Sequence, residues 1–194
     1  MPLSSTRDSG RAASPAVAGH QPLLLTIAVA ACFAVPLPLR AQPAGAQAIQ
    51  GAASLAQQGN KLIVTTTNGP GTNHSAINWQ SFSVPAGSTT QFNQPSAAST
   101  SINRVLGNNP SAIFGTLSSN GKLVLVNPAG ITVGAGAVVD TAGFTASTLR
   151  MSDADALAGR LRFEGGTNAL TVGGQILARS GDIVLIAPNI ETAS

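Results

Sequence analysis

The sequence predicts an all-β protein that folds as a parallel β-helix and is preceded by a leader. Apolar runs of only three to five residues recur along the chain, and glycine or asparagine separates them. Strands this short are typical of a solenoid with small coils. Residues 172–183 show the pattern at the size of one coil, with an apolar run, a glycine turn and a second apolar run. A β-sandwich would need longer alternating strands and several tight hairpins, whereas Asn120-Gly121 is the main dipeptide of that type.

The composition indicates a folded core and excludes some functions. Of the 194 residues, 43% are hydrophobic and 9% are charged, a combination that disordered chains do not have. The net charge is +3, but Arg7, Arg11 and Arg40 all lie in the first 46 residues, so the body is nearly neutral. A neutral body has no basic stripe for phosphate backbones, and no nucleic-acid partner is expected.

Residues 1–46 are predicted to be a secretory signal peptide. Basic residues precede an apolar run at 22–35, which is shorter than the about 20 residues of a membrane span. A lipoprotein signal is the alternative, because small residues precede Cys32. The sequence offers three positions near which a signal peptidase could cleave: Ala41, Ala46 and Ala48. Cleavage after Ala46 would leave no cysteine, so stability would come from packing and backbone hydrogen bonds.

The predicted domain spans residues 47–194. Its first predicted strand is 61–66, where β-branched residues are dense, and a second follows at 76–84 with Trp79 at an end or flank of the core. One short helix is predicted at 152–159, because Ser152 is a candidate N-cap and Gly159 is a candidate C-terminal stop. All other predicted elements are strands: 89–93, 102–105, 111–115, 123–126, 131–133, 138–139, 143–149, 161–163, 170–172, 176–178 and 183–186.

The segment 121–133 predicts two strands joined by a tight turn. Pro128 fixes φ at the first central position of the turn, and Gly130 tolerates a positive φ. Taken alone, this pattern predicts only a corner between two coil strands.

Residues for catalysis or metal binding are sparse. His74 is the one histidine outside the leader, so neither a Ser-His-Asp triad nor a metal cluster is expected, and no cofactor is expected. A carbohydrate-acting β-helix enzyme, such as a polysaccharide lyase, is the alternative function. Such an enzyme needs clustered acids for Ca²⁺, whereas Asp140, Asp182 and Glu191 are scattered in the sequence.

Several short segments occur in a fixed order between about Ile49 and Thr192: 76–82, 92–96, 102–105, 111–117, 120–121, 127–131 and 143–149. As an ordered set, they resemble the amino-terminal secretion domain of the filamentous haemagglutinin type. This domain is found on large exoproteins exported by two-partner secretion.

The resemblance implies a right-handed parallel β-helix with an amino-terminal cap and no enzymatic activity. It implies a secreted or cell-surface exoprotein of a Gram-negative bacterium, exported through the periplasm and outer membrane. The implied partner is an outer-membrane barrel transporter whose POTRA domains recognise the domain; a receptor on a host or neighbouring cell is a further candidate partner. Because the chain ends after a coil-like segment, residues 47–194 are expected to be the head of a longer exoprotein or a truncated copy.

The resemblance also assigns candidate site residues. Asn127, Pro128 and Gly130 match the family's Asn-Pro-Asn-Gly motif, in which Ala129 replaces the second asparagine, and with Ile131 they form the candidate secretion motif. The family's Asn-Pro-Asn-Leu motif is absent, which places the chain nearer the high-molecular-weight adhesin branch. Residues of a candidate transporter-recognition or cap region are Asn78, Trp79, Phe82, Gln94, Pro95, Asn103 and Arg104.

Overall fold

The computed structural model describes residues 42–192, which form a β-helix. Most of the predicted signal peptide, including Cys32 and the cleavage position Ala41, lies outside these residues. The described elements follow in chain order: β1 (Gln47–Gln50), β2 (Ala52–Gln58), β3 (Lys61–Thr67), β4 (His74–Trp79), β5 (Thr89–Asn93), β6 (Thr100–Val105), β7 (Ser111–Ile113), β8 (Thr116–Ser119), β9 (Lys122–Val126), β10 (Ile131–Val133), β11 (Val138–Thr141), β12 (Gly143–Ser147), α1 (Asp153–Leu157), β13 (Leu170–Val172), β14 (Gln175–Ala178), β15 (Ile183–Ile186) and β16 (Ile190–Thr192).

Three sheets form the walls of the β-helix. Sheet 1 has the order β1-β4-β6-β9-β12-β15, sheet 2 has the order β7-β10-β13-β16, and sheet 3 has the order β2-β3-β5-β8-β11-β14. The chain passes from sheet 3 to sheet 1 to sheet 2 in each complete coil, and strands of successive coils pair in parallel. Ser111, Ile131 and Leu170, for example, lie side by side in sheet 2. The fold class predicted from the sequence is confirmed.

An antiparallel cap covers the first coil. β1 pairs antiparallel with β4, and β2 pairs antiparallel with β3, so the two strands extend sheets 1 and 3 by one strand each. The strand pattern did not predict either one, because β2 consists of alanine, glutamine, serine and one leucine, which have little β-propensity. At Gly51, between β1 and β2, φ is +69°, and an added Cβ would lie only 2.0 Å from the carbonyl oxygen of Thr67. The cap itself, which the resemblance implied, is present.

The interior is a stack of equivalent positions from successive coils. Leu62, Thr90, Leu117 and Val139 follow one another in sheet 3, and all four are buried. Aromatic side chains fill the coils next to the cap. The ring of Trp79 meets the ring of Phe82 edge-on at 5.4 Å, and Phe82 stacks on Phe92 at 6.3 Å, measured between ring centroids. Burying such rings is worth several kcal/mol, so this aromatic cluster stabilises the capped end.

A buried amide lies in the wall of this interior. Asn103 takes the position between Ile77 and Leu125 in sheet 1 and has no exposed surface. Its Oδ1 accepts a hydrogen bond from the indole nitrogen of Trp79 at 3.0 Å. Its Nδ2 donates to the carbonyl oxygen of Ser101 at 3.1 Å and to the Ser101 hydroxyl at 3.2 Å. The amide therefore joins two coils and satisfies the polar end of the tryptophan.

An excursion at residues 148–169 leaves the coil between β12 and β13 and covers the outer face of sheet 1. It includes α1, which confirms the predicted helix: the Ser152 hydroxyl caps it by accepting from the Asp155 backbone nitrogen. The outer face and the excursion share a second apolar cluster: Ala76, Ile102, Val124, Val126, Met151 and Ala156, with Ile49 and Phe163 against it.

Two strand predictions need correction. The predicted strand at 161–163 is wrong: these residues lie in the excursion, where no neighbouring strand is available, and Phe163 packs on the outer cluster. The predicted strand at 76–84 starts earlier and ends at Trp79, because the chain turns there toward sheet 2. The strand β8 was also missed, since its sequence Thr-Leu-Ser-Ser has a single apolar residue.

The Asn103 amide yields a stability prediction. Replacing Asn103 with alanine should lower the free energy of unfolding by about 2 to 3 kcal/mol, because the Trp79 indole N–H would be buried without an acceptor. Chemical denaturation measures the change. Asn73 is exposed and its side chain makes no hydrogen bond within residues 42–192, so Asn73→Ala is the matched control, with an expected effect below about 0.5 kcal/mol. Equal losses in both variants would contradict the role given to Asn103.

The N-cap of α1 yields a pH prediction. Hydrogen bonds from the Ser152 hydroxyl and the Arg160 guanidinium hold the pKa of Asp155 below its ordinary value. A carboxyl whose pKa is lower in the folded state stabilises the fold above its unfolded pKa of about 3.9, and this contribution is lost as the pH falls through the folded value. Urea unfolding at pH 7 and pH 3 should therefore show a smaller loss of stability for Asp155→Asn than for the unmodified chain. An identical loss would contradict the prediction.

Candidate functional site

The candidate secretion motif forms the corner between β9 in sheet 1 and β10 in sheet 2. Asn127 is completely buried, and its side-chain oxygen accepts a hydrogen bond from the backbone nitrogen of Ala129 at 2.9 Å. The backbone nitrogen of Gly130 donates to the Asn127 carbonyl at 3.0 Å, which closes the turn. Gly130 has φ +118°, while the nearest heavy atom to an added Cβ would be 3.6 Å away. Glycine is therefore required there for its backbone angle and not for space.

Hydrogen bonds join the turn to the preceding coil and to the following coil. Towards the preceding coil, the Asn127 amide nitrogen donates to the Ser111 hydroxyl at 2.9 Å and to the carbonyl of Asn109 at 3.0 Å. Towards the following coil, the Asn168 amide donates to the carbonyl of Pro128 at 2.7 Å. The chain after the turn continues directly into the core, where Ile131 is 1% exposed. One corner thus connects three successive coils.

Ala129 contributes only its backbone to these hydrogen bonds. Its side chain is half-buried and borders a surface groove, so the turn closes without a side-chain amide at this position. The hydrogen bonds of Asn127 hold the turn, although Ala129 stands where the family has its second asparagine.

The sequence did not single out Ser111 or Asn168 as partners of the motif. Asn109-Pro110-Ser111 matches only the first two residues of the family's Asn-Pro-Asn-Leu motif, and Asn168 lies after a Gly-Gly-Thr turn. No local pattern could have paired either with Asn127, because the contacts exist only once the coils are in register.

The residues of the candidate recognition or cap region do not form one surface. Six of them are buried and Pro95 is exposed; the buried ones are Asn78, Trp79, Phe82, Gln94, Asn103 and Arg104. Trp79 and Phe82 belong to the aromatic cluster at the cap, and Asn78 lies opposite Gln47 of β1.

Gln94 stabilises a corner between sheets 3 and 1. Its backbone nitrogen donates to the side-chain oxygen of Asn120 at 2.7 Å, and the Asn120 amide donates back to the Gln94 carbonyl at 2.8 Å. Its own amide donates to the Ser119 hydroxyl at 2.9 Å and the Lys122 carbonyl at 2.8 Å. These bonds hold two neighbouring coils together, as the bonds of Asn127 do at the next corner.

Arg104 joins the β-helix to the excursion. Its guanidinium Nη2 donates to Asp153 Oδ1 at 2.5 Å; the arginine side chain is 7% exposed and the aspartate side chain is 73% exposed. The pair attaches the start of α1 to the end of β6.

The acidic residues do not assemble into a metal site. Arg179 donates hydrogen bonds of 2.7 and 2.6 Å to the Asp140 carboxylate and holds the pKa of Asp140 below its ordinary value. Within residues 42–192, no three side chains of the metal-ligating types lie close enough together to hold an ion. In the same part of the chain, no helix has the length and apolar character needed to cross a bilayer.

The sequence is similar to parts of two curated bacterial proteins. The chain is 37% identical over 106 residues to a heme/hemopexin-binding protein of Haemophilus influenzae, a match that covers 55% of this chain and 11% of that protein. A second protein of that description from Haemophilus influenzae is 38% identical over 78 residues, which cover 40% of this chain and 8% of that protein. The chain therefore spans about a tenth of the length of the curated relatives it matches.

Solved structures and a family profile identify the domain. The HMW1 secretion domain of Haemophilus influenzae has a TM-score of 0.70 and 30% identity, over 78% of this chain and 41% of that chain. A filamentous hemagglutinin secretion domain has a similar fold, with a TM-score of 0.51 and 21% identity over 79% of this chain and 59% of that chain. The higher similarity to HMW1 confirms the expected placement nearer the high-molecular-weight adhesin branch. The profile of the TPS secretion domain matches residues 40–194. The chain therefore belongs to the TPS secretion domain family of two-partner secretion.

Proposed function

We propose that this domain is the secretion signal and folding nucleus of a larger, adhesin-like surface exoprotein. Its partner would be an outer-membrane barrel transporter, whose periplasmic POTRA domains would recognise it before export to the cell surface or medium. The observation that carries the proposal is the family match across residues 40–194, together with the buried Asn127 turn that closes a coil within it.

The coil-to-coil bonds support a role in folding outside the cell. Each coil contacts only its neighbours, so a chain that emerges amino-terminal end first can add coils in order onto the cap. The aromatic cluster lies beside the cap, at the end that would emerge first. The described residues include no cysteine, so no disulfide within them could lock the fold before export. Recognition in the periplasm would then use the unfolded chain, adding a strand to an edge of the transporter's POTRA domains.

Contacts near the start of the domain favour cleavage near Ala41. Pro43 is buried, and the backbone nitrogen of Ala44 donates to the Ser81 carbonyl at 2.9 Å. Cleavage near Ala46 would remove these contacts, and cleavage near Ala48 would also remove half of β1. The proposed mature domain therefore begins just after Ala41.

The proposed domain is not an enzyme. A polysaccharide lyase would need several acids along one groove, whereas Asp140 is neutralised by Arg179, and no three acidic side chains cluster within residues 42–192. A receptor on a host or neighbouring cell would be bound by other parts of the exoprotein, since the matched relatives are about ten times longer than the match.

Secretion should depend on a transporter. We expect the chain to reach the medium when it is expressed in a Gram-negative host with a POTRA-bearing barrel of the two-partner type, and to remain in the periplasm when the barrel is absent. Immunoblots of medium and periplasm measure the distribution. Equal amounts in the medium with and without the barrel would contradict the proposed function.

The turn yields a prediction for two variants. Asn127→Ala removes a buried amide with two donor bonds and one acceptor bond, and we expect several-fold less secreted protein and a loss of about 2 to 4 kcal/mol in unfolding free energy. Ala129→Asn changes a half-buried side chain that the turn does not use, and it should leave both quantities nearly unchanged. Pulse-labelled secretion and chemical denaturation measure the two effects. Equal secretion of the two variants would contradict a role of the motif in secretion and would leave it a structural turn between two strands.

A further inference from the structure

A long strand edge is open at the capped end of the β-helix. β2 pairs with β3 over all seven of its residues, and the register runs without a shift from Ala52 opposite Thr67 to Gln58 opposite Lys61. β2 is the first strand of sheet 3, so its other edge has no neighbouring strand within residues 42–192. All of β2 is accordingly exposed except Ala53, which is half-buried.

The hydrogen bonds of β3 show which backbone groups of β2 face this open edge. The Thr89 nitrogen donates to the carbonyl of Asn60, just before β3, at 3.0 Å. Even-numbered residues of β3 therefore bond to β5, and odd-numbered residues bond to β2, because successive residues of a strand bond to opposite sides. In the register of the two cap strands, the even-numbered residues of β2 are the ones that bond to β3. The N–H and C=O groups of Ala53, Leu55 and Gln57 thus point to the open edge.

This edge lacks the features that protect exposed strands from pairing. Charged side chains, proline and β-bulges are the common ones. No charged residue occurs between Gln42 and Asn60, and β2 has neither a proline nor a bulge. β1, by contrast, has only four residues and a register shift between Ala48 and Gln50. Of the two cap strands, β2 is therefore the one whose edge can accept a further strand.

The edge of β2 is complementary to the same edge of a second copy. Leu55 is the central residue of the strand, so a twofold axis at this residue places Leu55 opposite its own copy and Ala53 opposite Gln57. Hydrogen-bonded pairs recur at every second residue of an antiparallel ladder, so every free N–H and C=O group of these three residues gains a partner. No like charges meet, because the strand has none. Leu55 is 44% exposed beside the buried Val64, and its copy would cover it.

We propose that two copies of the folded domain pair through β2, with their capped ends facing each other, as a weak symmetric dimer. Sheet 3 of one copy continues into sheet 3 of the other, and the stacked side chains of Val64 and Leu55 continue across the axis. Each copy contributes a single strand, and interfaces below about 1,200 Å² are typical of weak, transient complexes. The dimer needs only the folded domain, so it does not depend on the transporter.

Sedimentation velocity of the purified, folded chain tests the dimer. From about 1 to 500 µM, we expect the average mass to rise from that of a monomer towards that of a dimer. Leu55→Lys and Leu55→Glu should each raise the dissociation constant by about tenfold or more, because like charges then lie directly opposite each other. An equimolar mixture of the two variants should dimerise again, since opposite charges meet at the axis. Leu161 is 48% exposed in the excursion, so Leu161→Lys is the matched control, with a change below about twofold.

Hydrogen exchange of the unmodified chain gives a second readout that requires no variant to fold. The amides of Ala53, Leu55 and Gln57 should exchange more slowly at high than at low protein concentration, whereas the amide of the exposed Asn73 should not change. A chain that stays monomeric throughout, or exchange at these three amides that is independent of concentration, would overturn the proposal and leave the edge to a strand of another protein. A dimer that Leu55→Lys and Leu161→Lys weaken equally, or that neither weakens, would place the interface elsewhere and would also overturn it.

Discussion

The hydrogen bonds that buried asparagine and glutamine side chains make between successive coils are the interaction on which the rest of this structure depends. A β-helix has no contacts between distant coils, so each coil must be positioned by its neighbours alone. Asn127 meets this need at the corner between sheets 1 and 2, and Gln94 with Asn120 does so between sheets 3 and 1. If the register slipped, these amides would be buried without partners, at a cost of several kcal/mol together. Burial of the stacked apolar side chains drives folding, and the hydrogen bonds of the side-chain amides select one alignment of the coils.

The cap and the excursion cover two surfaces that a stack of coils leaves open. β1 and β2 pair with the first edges of sheets 1 and 3, where unpaired backbone groups would otherwise invite aggregation. The excursion covers the outer face of sheet 1, where Ile102 and Val124 would otherwise be exposed. Because it returns to the coil at Asn168, it also donates a hydrogen bond to the Asn127 turn from the side of the following coil.

Large aromatic side chains and a group of exposed aliphatic side chains lie at different ends of the β-helix. The largest rings lie beside the cap, and the final coil has several exposed aliphatic side chains, among them Ile183 and Ile190. This chain spans about a tenth of its curated relatives, so their binding activities are not assigned to it.

The sequence by itself determined the class of fold, most of the strands and the short helix. Runs such as Leu123–Val126 and Ile183–Ile186 are too apolar and β-branched for a loop, and Ser152 and Gly159 mark the ends of α1 through local hydrogen bonds and backbone angles. Proline and glycine likewise determined that 127–130 is a turn, because their restrictions on φ act within the turn itself.

Only the tertiary structure decided which other residues each of these local elements contacts. β2 forms a strand because it pairs with the edge of β3. Residues 161–163 have a composition that favours a strand more strongly, but no neighbouring strand is there to pair with them. Asn103 and Arg104 are adjacent in sequence, yet one lies in the interior and the other under the excursion, because side chains alternate between the two faces of a strand. The partners of Asn127 at Asn109 and Ser111 come from another coil, and only the alignment of the coils brings them within hydrogen-bonding distance.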